Sequence, residues 1–137
     1  MGNIKEETAR IKIIDQTTRG KEYLAGVLTG KKIVMIFQKP SFFYHAPVKP
    51  RLAFQLAAIF LGARTVFIEN PSDWKSTVEA AAELADLIII SRRKKKNYQV
   101  KTKMIDVDAY TESDLFTVMA TLKTKLNPDF LLPSFQI

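Results

Sequence analysis

The stretch from Gly30 to Glu69, GKKIVMIFQKPSFFYHAPVKPRLAFQLAAIFLGARTVFIE, decides the fold. Its first apolar run, Lys32 to Phe37, is rich in β-branched residues and is bounded by Gly30 and by Gln38 to Ser41, which predicts a buried strand. A helix is predicted from about Pro50 to Leu61, with Leu52, Leu56 and Ile59 on one side, Phe60 beside them and Gly62 as its stop. Arg64 to Glu69 reads as a second strand. Between strand and helix lies SFFYHAPVKPR, where a phosphate-binding enzyme would place glycines, serines and arginines.

The flanks extend the pattern. Lys5 to Leu28 predicts one or two amphipathic helices broken near Gly20. Downstream, Asn70 and Pro71 turn the chain, and Ser72 or Asp73 caps a helix bearing Trp74, Val78, Ala81, Ala82 and Ala85. Leu87 to Ile90 is a third buried strand and Met104 to Tyr110 a fourth. Thr111 or Ser113 then caps a helix with Leu115, Phe116, Val118, Met119 and Leu122 as core. Residues 126–137 form an apolar tail with two prolines, expected to lie extended along a surface. Alternating strands and helices predict an α/β fold: a single three-layer domain over residues 1–137 with a parallel sheet of about four strands flanked by helices. Ligands of such sheets sit outside the carboxyl ends of the strands, where the loops 38–50, 70–73 and 91–97 emerge.

Composition narrows the classes. The 137 residues suffice for one core, and 47% hydrophobic with 26% charged residues is ordinary for a globular chain. With no cysteine there are no disulfides and no thiolate chemistry, which fits a reducing, intracellular compartment without separating cytoplasm from an organelle matrix. One histidine and no metal-binding spacing lead to an expectation of no metal and no cofactor. No apolar run has the length of a membrane span, the first residues lack a signal-peptide pattern, and Glu6 stands where a myristoylation motif wants Ser or Thr. The net charge of +7 is concentrated: Arg92, Arg93, Lys94, Lys95, Lys96, Lys101 and Lys103 follow the third strand with no acidic residue among them.

GKKIVMIFQKPS, followed by RLAFQLAAIFLGARTVFIE and TVEAAAELADLIII, resembles the signature region of the ornithine and aspartate carbamoyltransferases, over roughly Lys21 to Ile90. In that family a strand ending Phe-Glu-Lys-Pro-Ser runs into Ser-Thr-Arg-Thr-Arg, a helix and a Leu-Gly-Gly turn. The resemblance implies the fold of the family's first domain, which binds carbamoyl phosphate at that helix start, and a trimer whose second domain binds an amino acid. Here Pro47, Val48, Lys49, Pro50 and Arg51 stand where Ser, Thr, Arg, Thr and Arg belong, with Phe42 to Ala46 inserted before them. Only Arg51 is kept; Lys49 keeps charge without the guanidinium fork. The resemblance implies a serine and a lysine in a second loop, and Ser72 and Lys75 are the residues here that correspond, at altered spacing. Ser91 occupies the place of an arginine that polarises the carbamoyl carbonyl, with Arg92 one residue late. Leu132 stands where the resemblance implies the histidine of His-Pro-x-Gln, Gln136 is displaced by one, and the expectation is that the amino-acid domain is missing.

Two prolines remove amide donors where a phosphate would need them, so carbamoyl phosphate affinity is expected to collapse. The favoured expectation is a non-catalytic interaction or structural subunit, with a protein partner or the family's homotrimer. The alternative is an anion-binding or residual carbamoyltransferase module in which Ser41, Lys49, Arg51 and Arg92 hold the anion. Phe42, Phe43 and Tyr44 either fill the abandoned pocket, form a protein interface or stack on a ligand. His45 lacks the orienting carboxylate a catalytic imidazole needs. The run from Arg92 to Lys103 is either a solvated loop or a contact for RNA, DNA or an acidic partner, without a motif for sequence readout.

Overall fold

The computed structural model describes residues 3–93, 97–110 and 114–133. The described part of the chain runs α1 (Ile4–Asp15), α2 (Gly20–Leu24), β1 (Lys32–Phe37), α3 (Val48–Phe60), β2 (Arg64–Glu69), α4 (Trp74–Leu84), β3 (Leu87–Ser91), β4 (Lys103–Asp106), a 3-10 turn (Val107–Ala109) and α5 (Leu115–Leu126). The four strands form one sheet in the order β2-β1-β3-β4, parallel at every pairing. This is the α/β architecture expected from the alternation of elements.

Interior position explains the composition of β1 and β3. Every residue of β3 is buried, as are Ile33 to Phe37 of β1, because helices cover both faces of the sheet there. On one face Ile33, Met35, Phe37, Leu87, Ile89 and Ile105 pack with α1, α3 and α5 around the fully buried Phe54. On the other, Val34, Ile36, Ile88 and Ile90 pack against Val78 and Ala81 of α4. β2 lies at the edge and is exposed along nearly its whole length.

The turn from α3 into β2 requires glycine. Gly62 has φ of +83°, and a Cβ there would stand 1.8 Å from the Ala25 carbonyl oxygen. Asp73 caps α4 by accepting from the Ser76 amide at 3.1 Å, which holds its carboxyl below the usual carboxylate value. Asp114 caps α5 in the same way through Thr117; Thr111 and Ser113 lie outside the described residues. The fourth strand is shorter than Met104 to Tyr110, because Asp106 accepts from the Asp108 amide and turns the chain into the 3-10 helix.

One expectation for α3 is corrected. The face carrying Leu52, Ile59 and Phe60 is exposed, and the core receives Ala53, Phe54, Ala57 and Ala58 instead. Small residues on that face let the helix approach closely, with Phe54 filling the remaining space against Tyr110 at 5.4 Å between ring centres.

A buried ion pair joins the first and last helices. Glu7 and Lys123 are 4% and 3% exposed, 3.4 Å apart, with Arg10 at 3.6 Å from the same Glu7 oxygen and Lys123 also donating to the Pro128 carbonyl. Of the tail, Leu132 is buried and Phe130 meets Tyr23 edge to face, while Leu131 is exposed. Residues 134–137 lie outside the described residues.

Candidate functional site

Strand order fixes where a ligand would be sought. The chain passes from β1 to β2 on one side and then crosses to β3 on the other, so a crevice opens beyond the carboxyl ends of β1 and β3. The Gln38 amide donates to the Ser91 carbonyl at 2.7 Å across that point. The amino end of α3 faces the same edge.

That helix end is poorly equipped for an anion. Pro47 is the N-cap and offers no side-chain bond, Pro50 sits in the first turn, and the Arg51 amide is already bonded to the Pro47 carbonyl at 3.0 Å. Of the first four helical positions, only Val48 and Lys49 therefore retain amide donors. The Lys49 side chain is exposed.

Arg51 is answered from within the chain. Its Nε donates to Ser91 Oγ at 2.8 Å, and its Nη2 donates to Tyr44 OH at 2.9 Å and to the Gln38 carbonyl at 2.9 Å. A longer bond reaches the Ser91 carbonyl at 3.3 Å. Tyr44 OH in turn donates to one carboxylate oxygen of Asp108 at 2.7 Å, and Ser91 Oγ donates to the other. Each hydroxyl has one proton, and both are directed at the carboxylate; the two oxygens face each other at 3.2 Å as acceptors for the arginine fork. A guanidinium is thus joined to a carboxylate through two hydroxyls, a bidentate pair with a serine and a tyrosine inserted.

The rings complete the enclosure. Arg51 lies 4.8 Å from the Phe37 ring centre and 5.6 Å from that of Tyr44. Burial holds the Tyr44 phenol above the usual tyrosine value; its bond to Asp108 acts in the same direction, while Ser91 and the Arg51 charge oppose it.

The three aromatics of the inserted loop separate. Ser41 and Tyr44 bond each other's backbone in both directions at 3.1 Å, making a tight turn whose tip is Phe42 and Phe43. Tyr44 is 6% exposed, whereas Phe42 and Phe43 are 89% and 73% exposed and pack edge to face at 5.2 Å. Ser41 is exposed and its Oγ accepts from the Phe43 amide, so it stabilises the turn rather than joining Arg51. His45 is exposed beside it.

Arg92 does not join Arg51 either. Residues alternate faces along β3, so Leu87, Ile89 and Ser91 share the α3 side and Arg92 continues the line of Ile88 and Ile90 toward α4. Its guanidinium lies 4.2 Å from the Trp74 ring centre and bonds Tyr98 OH, and among the described residues its Nε has no hydrogen-bond partner.

The basic run also divides. Arg93 is exposed at the carboxyl edge, its amide bonded to the Gln38 side chain at 2.7 Å. Lys103 pairs with Leu87 at the opposite, amino end of the sheet, where its Nζ donates to the Lys125 carbonyl, and the exposed Lys101 precedes it. Lys94, Lys95 and Lys96 lie outside the described residues.

Sequence reading missed Asp108. The signal available was a carboxylate near the carboxyl end of the predicted fourth strand, at the edge where the other candidates gather. Among the described residues no cluster of histidines and carboxylates could hold a metal, and no helix is long and apolar enough to cross a membrane.

No protein-family model matches the sequence, and none of the curated proteins does. Solved structures do. The catalytic subunit of M. jannaschii aspartate transcarbamoylase superposes with a TM-score of 0.56 at 18% identity, covering 87% of this chain and 43% of that one. An ornithine carbamoyltransferase from Burkholderia thailandensis gives 0.53 at 19%, covering 75% and 37%. The mitochondrial ornithine carbamoyltransferase of Coccidioides immitis gives 0.50 at 16%, covering 75% and 35%. The chain spans less than half the length of these enzymes, and over most of its own length it has the carbamoyltransferase fold, fitting an N-terminal carbamoyltransferase-like domain.

Proposed function

We propose that this chain is a non-catalytic carbamoyltransferase-like domain serving as an interaction or structural subunit of a larger assembly. The observation that carries the reading is the set of bonds around Arg51, the one arginine kept from the family motif. Its Nε and Nη2 are taken by Ser91, Tyr44 and the Gln38 carbonyl, and its charge is balanced through two hydroxyls by Asp108. A phosphate entering there would have to displace a buried tyrosine and approach a carboxylate, with few amide donors to meet it. Ser41 and Lys49, the other candidates for an anion on this loop, point into water.

Phe42 and Phe43 are the proposed contact on this edge. They project from a turn whose base is anchored by Tyr44, so an aromatic pair is presented at small entropic cost.

The test is a melting curve with millimolar carbamoyl phosphate and with a bisubstrate phosphonate. Neither should move the transition. Stabilisation of about 2.7 kcal/mol, the value for ligand at 100 times its dissociation constant, would restore the residual anion-binding reading. In the native complex, Phe42→Ala with Phe43→Ala should release the chain from its assembly while leaving its melting unchanged.

A further inference from the structure

The outer face of α3 and both faces of the edge strand β2 expose apolar side chains, Phe67 on the α3 side of the sheet and Val66 on the α4 side. Val48, Leu52, Ile59 and Phe60 lie along the exposed side of the helix, and Val66 and Phe67 lie on the strand beside it, 56% and 48% exposed. Taking roughly 150–250 Å² for a whole aromatic side chain and somewhat less for an aliphatic one, this leaves on the order of 500 Å² of apolar surface in water. Long, apolar, uncovered edges are rare in monomers, which protect them with lysines, prolines or bulges. β2 has none of these.

We propose that β2 pairs antiparallel with β2 of a second copy across a two-fold axis through Phe67, joining two sheets into one. The hydrogen-bond pattern limits the registers to those that oppose outward residues, and the length of β2 selects this one, which pairs all three. The Arg64 and Asn70 amides donate inward, to the Lys31 and Phe37 carbonyls, so the alternating residues Thr65, Phe67 and Glu69 turn their amides and carbonyls outward. Antiparallel pairing of outward residues sets Thr65 against Glu69 and Phe67 against its own copy, and every pair exchanges both hydrogen bonds. Val66 then faces Ile68 on the α4 side of the sheet, where a cleft of about 670 Å³ lined by Val34, Ala81 and Leu84 runs along the strand.

Charge favours a second copy as the occupant. In a chain of net charge +7, the segment from Leu52 to Asn70 has Arg64 and Glu69 as its only charged residues, one at each end of β2. In the antiparallel arrangement Arg64 comes beside Asn70 and Glu69 of the other strand, and like charges stay at opposite ends. The backbone edge added to the apolar surface approaches the roughly 800 Å² per partner of a standard interface. A closed ring of three chains cannot be built on this contact, because an edge strand has one free side. The pairing is independent of whether Arg51 binds an anion.

The experiment is sedimentation of the full chain over a range of concentrations. The wild type should have the mass of two chains. Phe67→Glu and Phe67→Lys should each have the mass of one, since the axis sets like charges face to face, and an equimolar mixture of the two variants should return to two. Thr65→Pro, which removes only an outward amide, should also give one chain with melting of the β1–β2 pair intact. Circular dichroism of each variant confirms folding. A wild type that is monomeric at all concentrations, a mass of three chains, charged variants that stay dimeric, or a mixture that stays monomeric would each overturn the proposal.

Discussion

Tyr44→Phe isolates the hydroxyl at the centre of the filled crevice. The ring, and with it the contact to Arg51, is kept; what is lost is one oxygen serving two charged groups. Arg51 Nη2 retains the Gln38 carbonyl at 2.9 Å and the Ser91 carbonyl at 3.3 Å, and Asp108 retains Ser91 on one oxygen. One charge-assisted bond is therefore lost without replacement and another is partly replaced, which gives a cost of about 2–3 kcal/mol. For a chain of this size that lowers the melting temperature by roughly 6–10 °C. A second readout follows from the phenol's raised pKa. Above pH 10 the unfolded chain releases this proton before the folded one does, so the folded state binds more protons and stability falls as pH rises. Tyr44→Phe lacks that component, so the stability gap between wild type and variant should narrow in alkali. In the tyrosinate absorbance of the native protein, one of the four tyrosines should titrate late and be missing from the variant. A variant within about 0.5 kcal/mol of wild type, with the late transition unaltered, would mean that water already serves Arg51 and Asp108 and that the crevice is open.

Other expectations concern what holds this site in place. Glu7→Leu should cost about 3–4 kcal/mol by stranding the buried Lys123, Lys123→Met about 2–3 because Arg10 still reaches Glu7, and the double variant about 1, as measured by urea unfolding. If the double variant costs as much as the two together, the helices are not joined through that pair. Gly62→Ala should cost about 3 kcal/mol or more, from positive φ and the Ala25 carbonyl, and a variant melting like wild type would refute the tight turn. Asp73→Ala should lower the melting temperature by uncapping α4, an effect that fades as acid protonates the wild-type carboxylate; a loss constant down to low pH would exclude the cap.

How much of this was legible depends on which physical signal each feature leaves. β1 and β3 were plain because strands covered on both faces are apolar without interruption, and no other element of that length reads Ile-Val-Met-Ile-Phe or Leu-Ile-Ile-Ile. The direction of α3 was not. Its residues are apolar nearly all round, so periodicity locates a helix but does not choose between a face of Leu, Ile and Phe and a face of alanines around one Phe. Sequence reading favoured the bulkier face; the sheet took the smaller, because close approach buries more backbone than large side chains allow. The bulk is left outside, with Leu52, Ile59 and Phe60 exposed.

The fate of the candidate arginines was closer to hand. A one-residue displacement at the end of a strand reverses the side to which a residue points, so Ser91 faces Arg51 while Arg92 faces α4. The charge of Arg92 therefore lies on the other side of the sheet from Arg51. Tyr44 required more, because three consecutive aromatics give no indication which of them turns inward. The turn closed by Ser41 and Tyr44 decides it, sending Tyr44 toward a cation that otherwise lacks an anion and leaving Phe42 and Phe43 in water. Asp108 completes the arrangement, since a half-buried arginine needs a negative charge within reach of its fork. A carboxylate supplied through two hydroxyls meets that need from within the chain.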